Sequence, residues 1–150
     1  MTKEEIKDFS FKITQSTKTG LVVITYEIII NYINSAKVCF ESGDMEGFTF
    51  NIKKARQFVN DLSSNLDFKY KISFDLMSLY MFINRSLLSA NIRKNTELLE
   101  DCTKIIAKLK EAFSNIESED KRGAAMPNSE QVYVGLTYGK SSNLNEIYVR

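Results

Sequence analysis

Apolar residues recur along this chain at three- and four-residue spacings over four long stretches, and each stretch predicts a helix with one face turned to a core. In the first, Leu21 to Ser42, the stripe is Val22, Tyr26, Ile29, Ile33, Ala36 and Phe40, with Ile24, Ile28 and Ile30 broadening it. Such breadth predicts a helix touched on more than one side. Its β-branched residues would locally permit a strand, but the length and the spacing favour a helix. The second stretch carries the cleanest stripe: Phe48, Ile52, Ala55, Val59, Leu62 and Leu66. The third reads Ile72, Leu76, Leu79, Ile83, Leu87 and Ala90, and the fourth Leu98, Cys102, Ile105, Leu109 and Phe113 or Ile116.

Turn chemistry separates these stretches. Ser16, Thr17 and Thr19 offer oxygens for a helix start, Gly43 suits a left-handed stop, and Asp44 can accept the first amides of the next helix. Asp67 to Lys71 links the second helix to the third, and Asn95 or Thr96 can cap the fourth. Four long helices on short turns predict an all-α, antiparallel up-and-down four-helix bundle over residues 18–120. Residues 1–17 read as an extended amino-terminal arm, because Phe9 and Phe11 are spaced like alternate positions of a strand. The charge cluster Glu117 to Arg122 and the single proline, Pro127, end the bundle and leave 121–150 as a carboxy-terminal extension. There Val132, Val134, Leu136 and Tyr138 alternate with Tyr133, Gly135 and Thr137. This suits a short strand, a segment docked back on the bundle in competition with a partner, or a flexible tail with no sheet to join.

On the third helix, Tyr80, Asn84, Leu88 and Asn91 fall on a stripe beside the one assigned to the core. Two readings are open: a surface that holds a partner by apolar contact and amide hydrogen bonds, or amides satisfied inside the fold.

Composition narrows the functions. A chain of 150 residues, 43% hydrophobic, can build one domain with a real core. Twenty lysines and arginines against 19 acidic residues give no net field to gather nucleic acid or anionic membrane. The amino terminus has no signal-peptide core, and the most apolar run, Leu21 to Ile33, is interrupted by Thr25, Glu27 and Asn31 and too short to span a bilayer, so a cytoplasmic protein is expected. The absence of histidine removes Ser-His and Cys-His nucleophiles, Glu-x-x-His di-iron sites, most zinc sites and histidine phosphotransfer. Cys39 and Cys102 sit at apolar positions of separate helices, which favours reduced thiols over a disulfide or redox pair. Acidic residues cluster at helix ends, where they cap and solvate, and no enzymatic constellation or cofactor site emerges.

The run from Leu79 to Lys94 carries a resemblance. Leu79-Tyr80, Asn84-Arg85, Leu87 and Ala90-Asn91-Ile92-Arg93-Lys94 resemble the signature of the flagellar secretion chaperone family FliS, and so do Tyr26 with Ala36-Lys37, Gly43-Asp44, and Asp61-Leu62 through Leu66-Asp67. The resemblance spans roughly Phe11 to Ile116. It implies a small helical chaperone that binds the carboxy-terminal segment of flagellin and delays polymerisation until export, with other flagellar assembly factors as further partners. It also implies a monomer or weak homodimer without a cofactor. The partner surface so implied takes in Tyr26, Ile33, Tyr80, Asn84, Arg85, Leu88 and Asn91. The chain departs from the family at Lys18-Thr19-Gly20 and at Tyr26-Glu27-Ile28, around the first helix. A non-enzymatic helical adaptor, or an oligomeric regulatory protein, is the alternative.

Overall fold

Side-chain oxygens start three of the helices where the turn chemistry places them. The computed structural model describes residues 1–14 and 17–122, and all its regular structure there is helical: α1 Lys3–Thr14, α2 Lys18–Glu41, α3 Met45–Ser64, α4 Ile72–Arg93 and α5 Glu97–Arg122. Thr17 accepts the Gly20 amide at 3.0 Å and opens α2, and Asp44 accepts the Gly47 amide at 2.9 Å and opens α3. Between them Gly43 takes φ +79°, the left-handed stop that a glycine reaches without a Cβ clash. Asn95 accepts the Glu97 amide at 2.9 Å at the start of α5.

The amino-terminal arm is helical rather than extended. Thr2 and Glu5 form a reciprocal capping box: Thr2 Oγ1 accepts the Glu5 amide at 3.2 Å, and Glu5 Oε2 accepts the Thr2 amide at 2.6 Å. Glu4 and Glu5 also lie at the positive end of the helix dipole. On this helix Phe9 and Phe11 turn to different sides, so their two-residue spacing carried no information about a strand. Phe9 is half-buried with the Lys12 ammonium 5.4 Å from its ring centre, and Phe11 is exposed. The arm meets α2 through polar groups: Asn31 Nδ2 donates to Glu5 Oε1 at 3.5 Å, and Lys12 pairs with Glu27 at 3.5 Å. The alternating segment from Val132 to Tyr138 lies outside the described residues, as does everything after Arg122.

Helices α2 to α5 form a ring, each packed on its neighbour in sequence and α5 returning to α2. Phe40 packs on Phe48 near the α2–α3 turn while Tyr32 stacks on Phe58 farther along, so these two helices run antiparallel. Contacts of Thr49 with Asn91 and of Arg56 with Asn84 give the same sense to α3 and α4. The α3 stripe is buried at every position the periodicity names. Helix α2 is apolar on several sides because α1, α3 and α5 all touch it. At 24 residues it is long and apolar enough by length and composition to cross a membrane, which corrects the shorter run read from sequence. In the bundle it is the central core helix, with twelve buried residues.

In α4 the core stripe departs from the expected one at two turns: Ser73 is buried beside a partly buried Ile72, and Tyr80 is 1% exposed where Leu79 is 37% exposed. A buried tyrosine must satisfy its hydroxyl, and here the Tyr80 and Tyr26 hydroxyls hydrogen-bond at 2.5 Å across the core. Phe113 packs edge-on against Tyr26 at 5.7 Å between ring centres. In α5 Cys102, Phe113 and Ile116 are buried as expected, whereas Leu99 and Ile106 are buried in place of Leu98 and Ile105, one residue along, and Leu98, Ile105 and Leu109 are partly buried. Two apolar rows run along α5; the buried one meets α2 through Phe113 and Tyr26 and α4 through Cys102 and Ile83, and spacing alone does not rank the two rows.

Changing Tyr80 to Phe leaves the fully buried Tyr26 hydroxyl without its partner. The single change should cost about 1–3 kcal/mol in chemical denaturation, and Tyr26→Phe with Tyr80→Phe should cost less than the sum of the two single changes. Strict additivity would show that the hydroxyls do not act as a pair.

Candidate partner-binding face of α4

Helix α4 carries more apolar side chains than its core face uses. Of the twelve large hydrophobic residues exposed among the described residues, six lie on this helix, and they concentrate opposite its buried stripe. Phe74, Met81 and Leu88 are seven apart, a drift of only about 20° per step, and Ile92 follows one turn later, so the four make one line along the outer surface. Ile92 is 72% exposed and Phe74 59%. Phe82 and Leu79 continue the apolar surface on the shoulder away from α3. Exposed apolar surface of this kind, in a helix otherwise well packed, makes this face the candidate interaction site.

Its border towards α3 is polar and locked. Arg56 Nε donates to Asn84 Oδ1 at 2.6 Å, and Asn84 Nδ2 donates to Asn60 Oδ1 at 2.6 Å. One end of the seam is closed by Thr49 Oγ1, which donates to Asn91 Oδ1 at 3.0 Å, and by Lys94 Nζ, which donates to both of those oxygens at 3.3 Å. Lys94 adopts φ +53°, the left-handed stop of α4, which brings its ammonium back to 5.0 Å from the Phe48 ring centre. Beside it a concavity opens to solvent, lined by Met45, Glu46, Thr49, Phe50, Lys53 and Lys94.

The residues assigned to a partner from sequence therefore divide. Leu88 and Arg85 lie on the outer face, Arg85 one turn from both Met81 and Leu88. Asn84 and Asn91 are half-buried at the seam, and the polar groups just described are occupied by α3 rather than offered outward. Tyr26, Ile33 and Tyr80 are interior, at 0, 0 and 1% exposure, and in this arrangement offer no surface. The expected stripe of Tyr80, Asn84, Leu88 and Asn91 thus runs from core to seam to surface. Phe74, Met81 and Ile92, which sequence reasoning passed over, were detectable as a heptad line opposite the core stripe.

The face has no reactive chemistry of its own. Cys102 is packed with its thiol 3.8 Å from the Ile83 carbonyl oxygen, and burial, with the nearby Asp101 charge, pushes its pKa up to about 11, which keeps it a neutral packing group. Cys39 accepts from Asn51 Nδ2 at 3.6 Å and is likewise unpaired with another cysteine. Among the described residues no group of three or more cysteine, aspartate or glutamate side chains could hold a metal ion. What this arrangement can do is bind an apolar surface beside a row of fixed polar groups.

The family model for "Flagellar protein FliS" matches residues 5–120. A curated relative, the flagellar secretion chaperone FliS of Bacillus subtilis (strain 168), is 26% identical over 110 residues, covering 73% of this chain and 83% of the relative.

Proposed function

The chain belongs to the FliS family of flagellar proteins, and on that premise we propose that it is a cytoplasmic export chaperone that holds the carboxy-terminal helical segment of flagellin and delays its polymerisation until secretion. The observation that carries this reading is the exposed line of Phe74, Met81, Leu88 and Ile92 on α4, set beside a seam of fixed amides. An amphipathic segment that is poorly ordered alone can lay its i, i+3, i+4 face on such a line and fold as it binds. Because it must offset its own ordering, it is expected to wrap on the order of 1,000–3,000 Å². Leu88 and Arg85 touch the segment, Asn84 and Asn91 hold the border of its track, and Tyr26, Ile33 and Tyr80 support α4 from within the core. No cofactor and no catalytic step enters this function.

The test is to mix the full chain with the carboxy-terminal segment of flagellin from the same organism and measure mass by light scattering after size exclusion. A one-to-one complex is expected from a protein that is monomeric or weakly dimeric alone. A stable oligomer that ignores the segment would overturn the chaperone reading in favour of an adaptor.

A further inference from the structure

Charge is distributed unevenly along the chain. Residues 45–94, the α3–α4 hairpin, hold eight lysines and arginines against four acidic residues, a local balance of +4 in a chain whose total is +1. Four of those cations border the apolar line. Arg85 is exposed between Met81 and Leu88, Arg56 reaches Asn84 at the seam, and Lys53 and Lys94 line the concavity beside Met45 and Phe50. Among the described residues none of the four forms an ion pair, whereas Glu27, on α2, pairs with both Lys12 and Lys110. Glu46 is the acidic residue in the concavity.

We propose that the outer face of α4 with the adjoining edge of α3 is built for an acidic amphipathic helix, whose apolar face lies on the α4 line and whose flanking carboxylates meet Arg85, Lys53 and Lys94. The inference rests on the reading of this face as the partner site and adds the charge of the partner. The apolar line between the cations favours a protein helix over a phosphate backbone, which would call for charge without apolar area. Exposed pairs of this kind add little to affinity, since solvent and salt screen them, but they steer the encounter and exclude a basic competitor. The signature is therefore kinetic: association that is fast at low ionic strength and slows as the screening length shrinks to a few ångströms.

Stopped-flow association of the full chain tests this with three probes: the flagellin segment and two designed 18-residue helices that share one apolar face and carry either glutamate or lysine on its flanks. Raising salt from about 50 to about 500 mM should slow association of the flagellin segment and of the glutamate helix about tenfold. Arg85→Glu with Lys53→Glu, both exposed positions, should slow it several-fold at low salt and have little effect at high salt. The lysine helix should bind at least about tenfold more weakly than the glutamate helix. If the flagellin segment binds with a salt-independent rate, or the two designed helices bind equally, the charge inference is overturned while the chaperone reading stands. If the glutamate helix binds in the expected way and the flagellin segment does not, the chaperone reading falls and the charge inference holds. Failure of all three probes to bind overturns both.

Discussion

Replacing Phe113 with alanine should destabilise the protein by about 3–5 kcal/mol, the range for deleting a fully buried aromatic ring and leaving its cavity. The ring sits edge-on against Tyr26 where α5 closes on α2, so its loss removes packing from the contact that completes the ring of helices. Tyr26 is then left beside a void, and its hydroxyl bond to Tyr80 loses the wall that holds it. Urea unfolding should show a lower midpoint at unchanged slope, and the melting temperature should fall by about 10 °C for a domain of this size. Phe74→Ala, a truncation of the same ring on the exposed face that loses only its contact with Phe68, should cost no more than about 1.5 kcal/mol. A loss at Phe113 as small as at Phe74 would mean that α5 does not close on α2 as described.

The second large effect concerns binding with the fold left intact. Met81→Ser with Leu88→Ser removes the centre of the outer apolar line, and the flagellin segment should then bind about a hundredfold more weakly, as when two buried interface anchors are truncated. Thermal stability should fall by no more than about 1.5 kcal/mol, since neither side chain belongs to the buried core and the serines cost a few tenths each in helix propensity. The variant should also be less prone to self-association, having lost exposed apolar area. Titration calorimetry together with a melting curve separates the possibilities: undiminished affinity in the folded variant would place the partner on another face.

How far the sequence could be read depended on whether a residue's environment is set by its neighbours along the chain. The α3 stripe was fully legible, since one face meets the core and a single spacing describes it. The turns at Thr17, Gly43-Asp44 and Asn95 were legible too, because capping is local chemistry. The choice of Tyr80 over Leu79 was not: both suit a helix face, and what selects the tyrosine is a hydroxyl on α2, fifty-four residues away in sequence. The helix of residues 3–14 was missed because two phenylalanines were weighed above the Thr2 and Glu5 capping pair. The proposed partner face was half legible. Arg85 was named from the family pattern and Leu88 from the stripe beside the core, whereas Phe74, Met81 and Ile92 belong to no core and so drop out of any search for stripes that build one.

The Tyr26–Tyr80 bond joins α2 and α4, which are not successive in the ring, through its interior. Apolar stripes are nearly interchangeable: a helix slid by one turn, or seated in a different order around the ring, could bury comparable carbon area. None of those alternatives brings these two hydroxyls together, and each would strand two polar atoms in the interior at about 1–3 kcal/mol apiece. The bond therefore works as an alignment key, adding little to the depth of the native well and much to its distance from misassembled bundles. Phenylalanine at both positions should give a protein that still folds and remains helical but settles among several registers, visible as broadened aromatic resonances before any large change in melting temperature.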